Sequence, residues 1–517
     1  MFIKKLRAFF VLALSLSLVA CEKADTVEED ATATTAPVTE AVPEPAPVVE
    51  ADKAEIAWFD GSVEEAFALA KAENTPLFLY WGAVWCPPCV EIKNTVFKSP
   101  QFIAQTELFV PVYLDGDTEH AQEWGDRFGT KVYPTMIVFN PEGDEVTRLN
   151  AGVDISAYNT VLELSLESMQ PMDELVAAAL EAPATVSDTD FQRLAYYSWY
   201  DGKALPEGAP AQAFLSLSEE AAETNPEAGA RLYLQYLTML AEEEISDPQA
   251  PARLGAILTS PALVFASWDY LLAPEPIVPA LGGNDEDIAT LKEGWATVMM
   301  DARHDERLST RNQLYGWRPY LVFHFEGAEE KSKPVPEDIV EAISADGRAA
   351  DESVAGTHSR QSVINTASNV YVLAGMTEDA RTLLLAEIEK SKTPYYFMGS
   401  LAYVEEEEGN DAVALEWRRK AYEASEGPAT RIRWWASYVQ ALTRLAPENG
   451  AAILQAAMYP FDPEQGMSDL FAGANKRNLQ RAKNALEEWD MEETELDEFH
   501  AALVEACAEA GADCTEL

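Results

Sequence analysis

The sequence predicts an α/β unit, a central mixed sheet flanked by helices, followed by a larger all-α helical-repeat domain. Three observations carry this reading. Between about residues 55 and 170, short apolar runs alternate with amphipathic ones. From about residue 171 onward Ala, Glu and Leu dominate, and helix-length segments are separated by Gly, Pro or Asp turns. Finally, 517 residues are too many for a single core.

Within the first unit the elements follow in order. Ser62 to Ala72 is an amphipathic helix with Val63, Ala66, Phe67 and Ala70 on one face. Pro76 to Gly82 is short, apolar and aromatic, which suits a buried strand. A helix from Cys86 to about Lys98 follows, with Cys89, Ile92, Val96 and Phe97 at helical spacing. Phe109 to Leu114 is a second strand closed by Asp115-Gly116-Asp117, and a helix runs from about Glu119 to Phe128. Tyr133-Pro134-Thr135 leads into a strand at Met136 to Phe139. Asn140-Pro141-Glu142-Gly143 then turns the chain into Glu145 to Leu149. This β-α-β-α-β-β order implies a parallel start and an antiparallel finish.

Trp85-Cys86-Pro87-Pro88-Cys89 stands where the first strand meets a helix. A thiol there faces the positive end of the helix dipole and unpaired backbone N–H groups. Both favour the thiolate, which is the nucleophile of disulfide exchange. Cys86 is thus the expected attacking thiol and Cys89, one turn deeper, the resolving one. Half a zinc site is the competing reading. It needs two more ligands, and the other close pair, Cys507 and Cys514, is remote in sequence. A purely structural bridge over four residues adds little entropic stabilisation. Pro87 and Pro88 stiffen the first turn and remove N–H donors, so an extreme oxidant is not expected.

The stretch 55–170 resembles a thioredoxin-fold domain, and more narrowly the bacterial thioredoxin-like proteins with a helix-first N-terminus. The resemblance rests on Trp85-Cys86-Pro87-Pro88-Cys89, on Val96-Phe97 with Pro100, and on Tyr133-Pro134-Thr135. It implies thiol–disulfide oxidoreductase activity, with the Cys86–Cys89 pair as the redox centre and no separate cofactor. It also implies a cis Pro134 beside that centre, in a substrate groove shaped by Trp85, Tyr133, Pro134 and Thr135. A plain strand-entry proline is the alternative for Pro134. One position departs from the family. Many thioredoxins carry a buried aspartate six residues before the first cysteine, and here Tyr80 stands there. Tyrosine is a poor base near neutral pH, so the Cys89 proton must leave by water, Glu91 or another group.

The ends of the chain have their own signals. Lys4, Lys5 and Arg7 precede an apolar core, Phe9 to Val19, and Leu18-Val19-Ala20-Cys21 closes it. This has the length of an export signal and is short for a membrane span. It resembles a bacterial lipobox, with residues 1–20 as signal peptide and Cys21 as the lipidated residue. An ordinary signal peptide with a nearby cysteine is the alternative. Glu22 replaces the aspartate of inner-membrane retention, which points to the outer membrane and a periplasm-facing placement. Residues 21–54 are rich in Ala, Pro, Glu, Thr and Val and read as a disordered tether. In an oxidising compartment Cys507 and Cys514 are candidates for a structural disulfide, the alternative being two free thiols.

The net charge of −51 argues against nucleic acid as a partner and against close contact with anionic lipid, leaving the lipid anchor as the membrane attachment. The five histidines form no evident metal pattern, and no phosphate loop or Ser/His/Asp signature occurs. In residues 171–517, Gly375, Ala380 and Pro394 recur thirty-four residues on as Gly409, Ala414 and Pro428. That period resembles tetratricopeptide helix pairs, which bury an apolar face only by stacking. Leu401, Ala402 and Ala421 fit, whereas Ser368 and Glu387 occupy two small-residue positions of the earlier copy. Trp417, Tyr422, Trp434 and Trp435 read as core, and Glu405 to Glu408 as a solvated helix end. The expected partners are protein thiols and disulfides of the cell envelope and an unidentified electron donor or acceptor. The competing class is a helical-repeat scaffold lipoprotein with an accessory or redox-gated thioredoxin-like domain.

Overall fold

The computed structural model describes residues 55–514 except 119, 151–154, 207, 209, 327–332, 355, 463, 465–468 and 491–495. The readings for the signal, Cys21 and the tether lie outside these residues. The first described helix, α1 (Val63–Glu73), opens on a reciprocal cap. Ser62 accepts from the Glu65 N–H and Glu65 accepts from the Ser62 N–H. It leads to β1 (Leu77–Gly82), one of the two inner strands of the sheet. Strand order is β2-β1-β3-β4, where β2 is Val110–Asp115, β3 is Thr135–Phe139 and β4 is Glu145–Asn150. β1 pairs parallel with β2 and antiparallel with β3, and β3 pairs antiparallel with β4.

All six residues of β1 are buried, and they divide between two cores by strand alternation. Phe78 and Tyr80 pack with Ile92, Phe97 and Phe102 on one face. Leu77, Leu79 and Trp81 pack with Val63, Ala66 and Phe128 on the other. A sheet covered on both faces explains why the strand reads as continuously apolar.

The single helix expected from Cys86 to Lys98 is instead three pieces. These are α2 (Pro87–Asn94), a 3₁₀ turn at Val96–Lys98, and α3 (Pro100–Thr106). The Asn94 and Thr95 side chains donate to the carbonyls of Val90 and Glu91, competing with helix continuation. Ser99, extended because a proline follows, then caps the new helix. α4 (Ala121–Phe128) and α5 (Ile155–Glu167) complete the layers.

From Met172 to Ala510 every regular element among the described residues is a helix. The thirty-four-residue recurrence has a local structural basis. Gly375 and Gly409 both adopt positive φ just after a helix, where glycine carries no Cβ penalty. Ala380 and Ala414 are fully buried, and Pro394 and Pro428 each open a helix. Ser368 and Glu387 are tolerated at buried positions because each is bonded: Ser368 donates to the Asn365 carbonyl and Glu387 accepts from Arg360. The acidic run from Glu405 is only partly solvated. Glu405 is buried against Arg381 at 2.6 Å, and Glu406 bridges Arg418 and Arg444, so two of the four charges are spent on ion pairs. Trp435 and Tyr422 are core. Cys507, inside the last helix Asp497–Ala510, is disulfide-bonded to Cys514 just beyond its end.

The helical part packs back onto the sheet. One apolar cluster contains Ala83, Trp85, Cys86 and Cys89 together with Tyr395, Trp434 and Trp435. The described residues accordingly form one compact unit. No helix among the described residues is long and apolar enough to cross a membrane.

Candidate active site

Cys86 is the N-cap of α2, with extended backbone angles and prolines at the next two positions. The prolines leave Cys89 as the first residue of α2 with an N–H to offer. Burial alone would raise the Cys86 thiol, yet it lies below its ordinary value. The Cys89 thiol and the Cys89 backbone N–H, both offered to its sulfur, oppose the burial, and Arg433 and Arg311 add positive charge. The Cys86 thiol also lies 3.5 Å from the Tyr133 carbonyl, and the Tyr133–Pro134 bond is cis. Cys89 is fully buried and pushed well up, first by burial and then by its hydrogen bond to Cys86 and the charge there. Both cysteines are free thiols. One thiol is therefore biased toward its anion and the other toward its protonated form.

Tyr80 lies beside Cys89 from the middle of β1. Its hydroxyl is buried without a partner in hydrogen-bond geometry, but it is close enough to hold the Cys89 thiol down, against the stronger effect of burial. Tyr80 stacks on Tyr113, ring centres 5.5 Å apart. The Tyr113 hydroxyl accepts from Lys93 at 2.6 Å and donates to Asp115 at 3.2 Å. A file of polar groups thus runs from the resolving thiol toward Asp115.

Trp85 is fixed from four directions. Its indole N–H donates to Asp117 at 2.9 Å, and its ring meets Tyr133 edge-on. The Arg433 guanidinium lies 4.6 Å from the ring centre. Its carbonyl accepts from the buried Gln361 side chain. Of these partners, Arg433 and Gln361 come from the helical part.

Asp117 and Gln122 tie the two parts together in the same way. Asp117 accepts from the Thr430 N–H at 2.8 Å and from its hydroxyl at 2.6 Å. Thr430 is in the first turn of the helix Pro428–Leu445, whose own N-cap, Gly427, has no side chain to offer. A Cβ on Gly427 would stand 2.7 Å from the Asp117 carboxyl carbon. Gln122 accepts from the Ala474 N–H at 2.8 Å, in the first turn of Gly473–Trp489, and donates to the Tyr133 hydroxyl. Two helix N-termini of the helical part are therefore capped by side chains from the sheet part. Burial pushes the Asp117 carboxyl up, although the Thr430 and Trp85 bonds oppose it.

Of the groove residues expected from sequence, Trp85, Cys86 and Tyr133 line a cleft of about 900 Å³. Pro134 is buried beneath it, and Thr135 turns away, donating to the Val132 carbonyl and to buried Asp201. Asp117, Gln122, Gln361, Thr430 and Arg433 escape sequence reasoning because their partners lie up to 352 residues away. His120, Glu123 and Asp469, near each other at the surface, present ligand atoms within 4.8 Å of one another, a grouping the scattered histidines did not reveal. No curated protein shows significant similarity to the chain. Residues 63–165, which carry both thiols, the sheet and α5 up to Ser165, match the family model of the thioredoxin-like domain, the helical part lying outside that match.

Proposed function

We propose that the chain is an exported, lipid-anchored thiol–disulfide oxidoreductase acting on disulfides of envelope proteins, with Cys86 as nucleophile and Cys89 as resolving thiol. The observation that carries this reading is the opposite tuning of two adjacent buried thiols at a helix N-cap. The Cys86 thiolate attacks one sulfur of a substrate disulfide. The other sulfur leaves as a thiolate and takes a proton from water. The mixed disulfide removes the negative charge on Cys86, one of the causes that hold Cys89 up. Cys89 then loses its proton and attacks the Cys86 sulfur, expelling the second substrate thiolate. The substrate has gained two electrons and the Cys86–Cys89 pair has lost two. The same steps in reverse oxidise a dithiol, so the measured reduction potential of the pair sets the direction. An electron donor or acceptor of the envelope resets the pair. The signal-like segment and Cys21 support the placement.

Cys89→Ser in the full chain is expected to accumulate mixed disulfides, seen as shifted bands on non-reducing gels and lost on adding reductant. Cys86→Ser is expected to accumulate none. Equal trapping by both variants overturns the role assignment. Trapping by neither favours a helical interaction protein in which the thioredoxin-like part is accessory.

A further inference from the structure

The cleft beside Cys86 has a charge opposite to that of the molecule. The chain carries 88 acidic against 37 basic residues. Yet Lys131, Arg418, Arg433, Arg444, Arg477 and Arg481 all line this cleft, and among the described residues no Asp or Glu does. Their partners leave most of the charge unanswered. Arg418 and Arg444 share one carboxylate, Glu406, which is not part of the cleft wall. Lys131 and Arg477 donate to backbone carbonyls, and Arg433 lies over two indole rings. Among the described residues Arg433, Arg477 and Arg481 have no carboxylate within ion-pair distance. Arg477 is held below its ordinary value by burial, and Arg481 adds to this although Asp126 opposes it.

Packing like charges along a concave wall costs free energy that a folded chain with so many acidic residues has every means to relieve. Its persistence beside the nucleophile calls for an anionic occupant. Six cations exceed the charge of a small anionic thiol, and 900 Å³ is at the upper end of small-ligand pockets, which run to about 1,000 Å³.

We infer that the cleft selects a disulfide-bearing polypeptide segment rich in Asp and Glu, which the cations hold while Cys86 engages its sulfur. This rests on the oxidoreductase reading above and names its substrate class. It also accounts for how a molecule of net charge −51 admits an acidic partner at one place while repelling it elsewhere.

Two readouts on the reduced full chain separate this inference from the redox reading. The first is fluorescence anisotropy with dye-labelled, cysteine-free peptides of about ten residues, Glu-rich, Ser-rich or Lys-rich. The Glu-rich peptide is expected to bind about tenfold or more tightly than the Ser-rich one at low salt, the Lys-rich one not at all. Lys131→Glu with Arg481→Glu, checked for an unchanged circular dichroism spectrum, is expected to erase that preference. Arg444→Gln is a second, milder variant with the same direction. The second readout is the exchange rate with the same peptides carrying a central mixed disulfide. Equal binding of the Glu-rich and Ser-rich peptides overturns the inference. So does equimolar competition by dithiodiglycolate, which would make the site one for small anions. Charge-selective binding without exchange overturns the redox reading and leaves the selectivity standing.

Discussion

Cys86 and Cys89 sit three residues apart with opposite ionisation tendencies, and the difference is made by named neighbours. Cys86 is expected to alkylate with a pH midpoint below that of an ordinary thiol, because its ionised form is favoured. Arg433→Ala removes a positive charge and is expected to move that midpoint upward, read from iodoacetamide rates across pH. An unmoved midpoint would show that the charge is screened at the sulfur. Tyr80→Phe tests the other thiol. The hydroxyl lacks a regular partner, so its loss is expected to change thermal stability little. It removes the group that eases Cys89 ionisation. The mixed disulfide in the Tyr80→Phe protein is expected to resolve about tenfold more slowly, the equivalent of roughly 1.4 kcal/mol, measured by rapid-quench trapping. Because Cys89 is raised, that lifetime is also expected to lengthen as pH falls.

At the scale of elements, the helix Pro428–Leu445 begins without a cap of its own and takes one from Asp117. Asp117→Ala is expected to cost about 1–2 kcal/mol in denaturant unfolding, the usual worth of a cap. Asp117→Asn keeps an acceptor and is expected to lose less. The sign of the pH effect follows from the raised folded value. The stability linked to this titration is full below the free Asp value of about 3.9. It is lost as pH rises through the folded value, and Asp117→Asn removes that slope. This coupling also explains what sequence could and could not reveal. β1, α1 and the Cys86 junction were legible because their signals are local: an apolar run, an amphipathic period, a thiol spacing. The break of the expected Cys86–Lys98 helix lay in Thr95 and the Ser99-Pro100 pair, local signals outweighed by the apolar period. The cap donated by Asp117 was illegible, since Asp115-Gly116-Asp117 reads as a turn wherever its carboxylate points. The basic wall left a faint trace in Lys476, Arg477, Arg481 and Lys483, a positive stretch in an acidic chain.

For the whole molecule, charge has two opposing roles. The net −51 repels itself, so added salt is expected to raise the thermal midpoint as the screening length falls from about 30 Å at 0.01 M to about 3 Å at 1 M. The same salt is expected to weaken acidic-peptide binding in the cleft. Two observables moving in opposite directions along one salt titration would be hard to obtain from a uniformly negative surface. Cys86 itself is only 4% exposed, recessed between the sheet part and the helices that Asp117 and Gln122 cap. On the proposed reading the recess would act as a sieve on shape: a disulfide stapled flush into a rigid globule would not reach the sulfur, while one carried on a slack tail or a partly unfolded chain would thread in, and the expected clientele is chains caught before they finish folding.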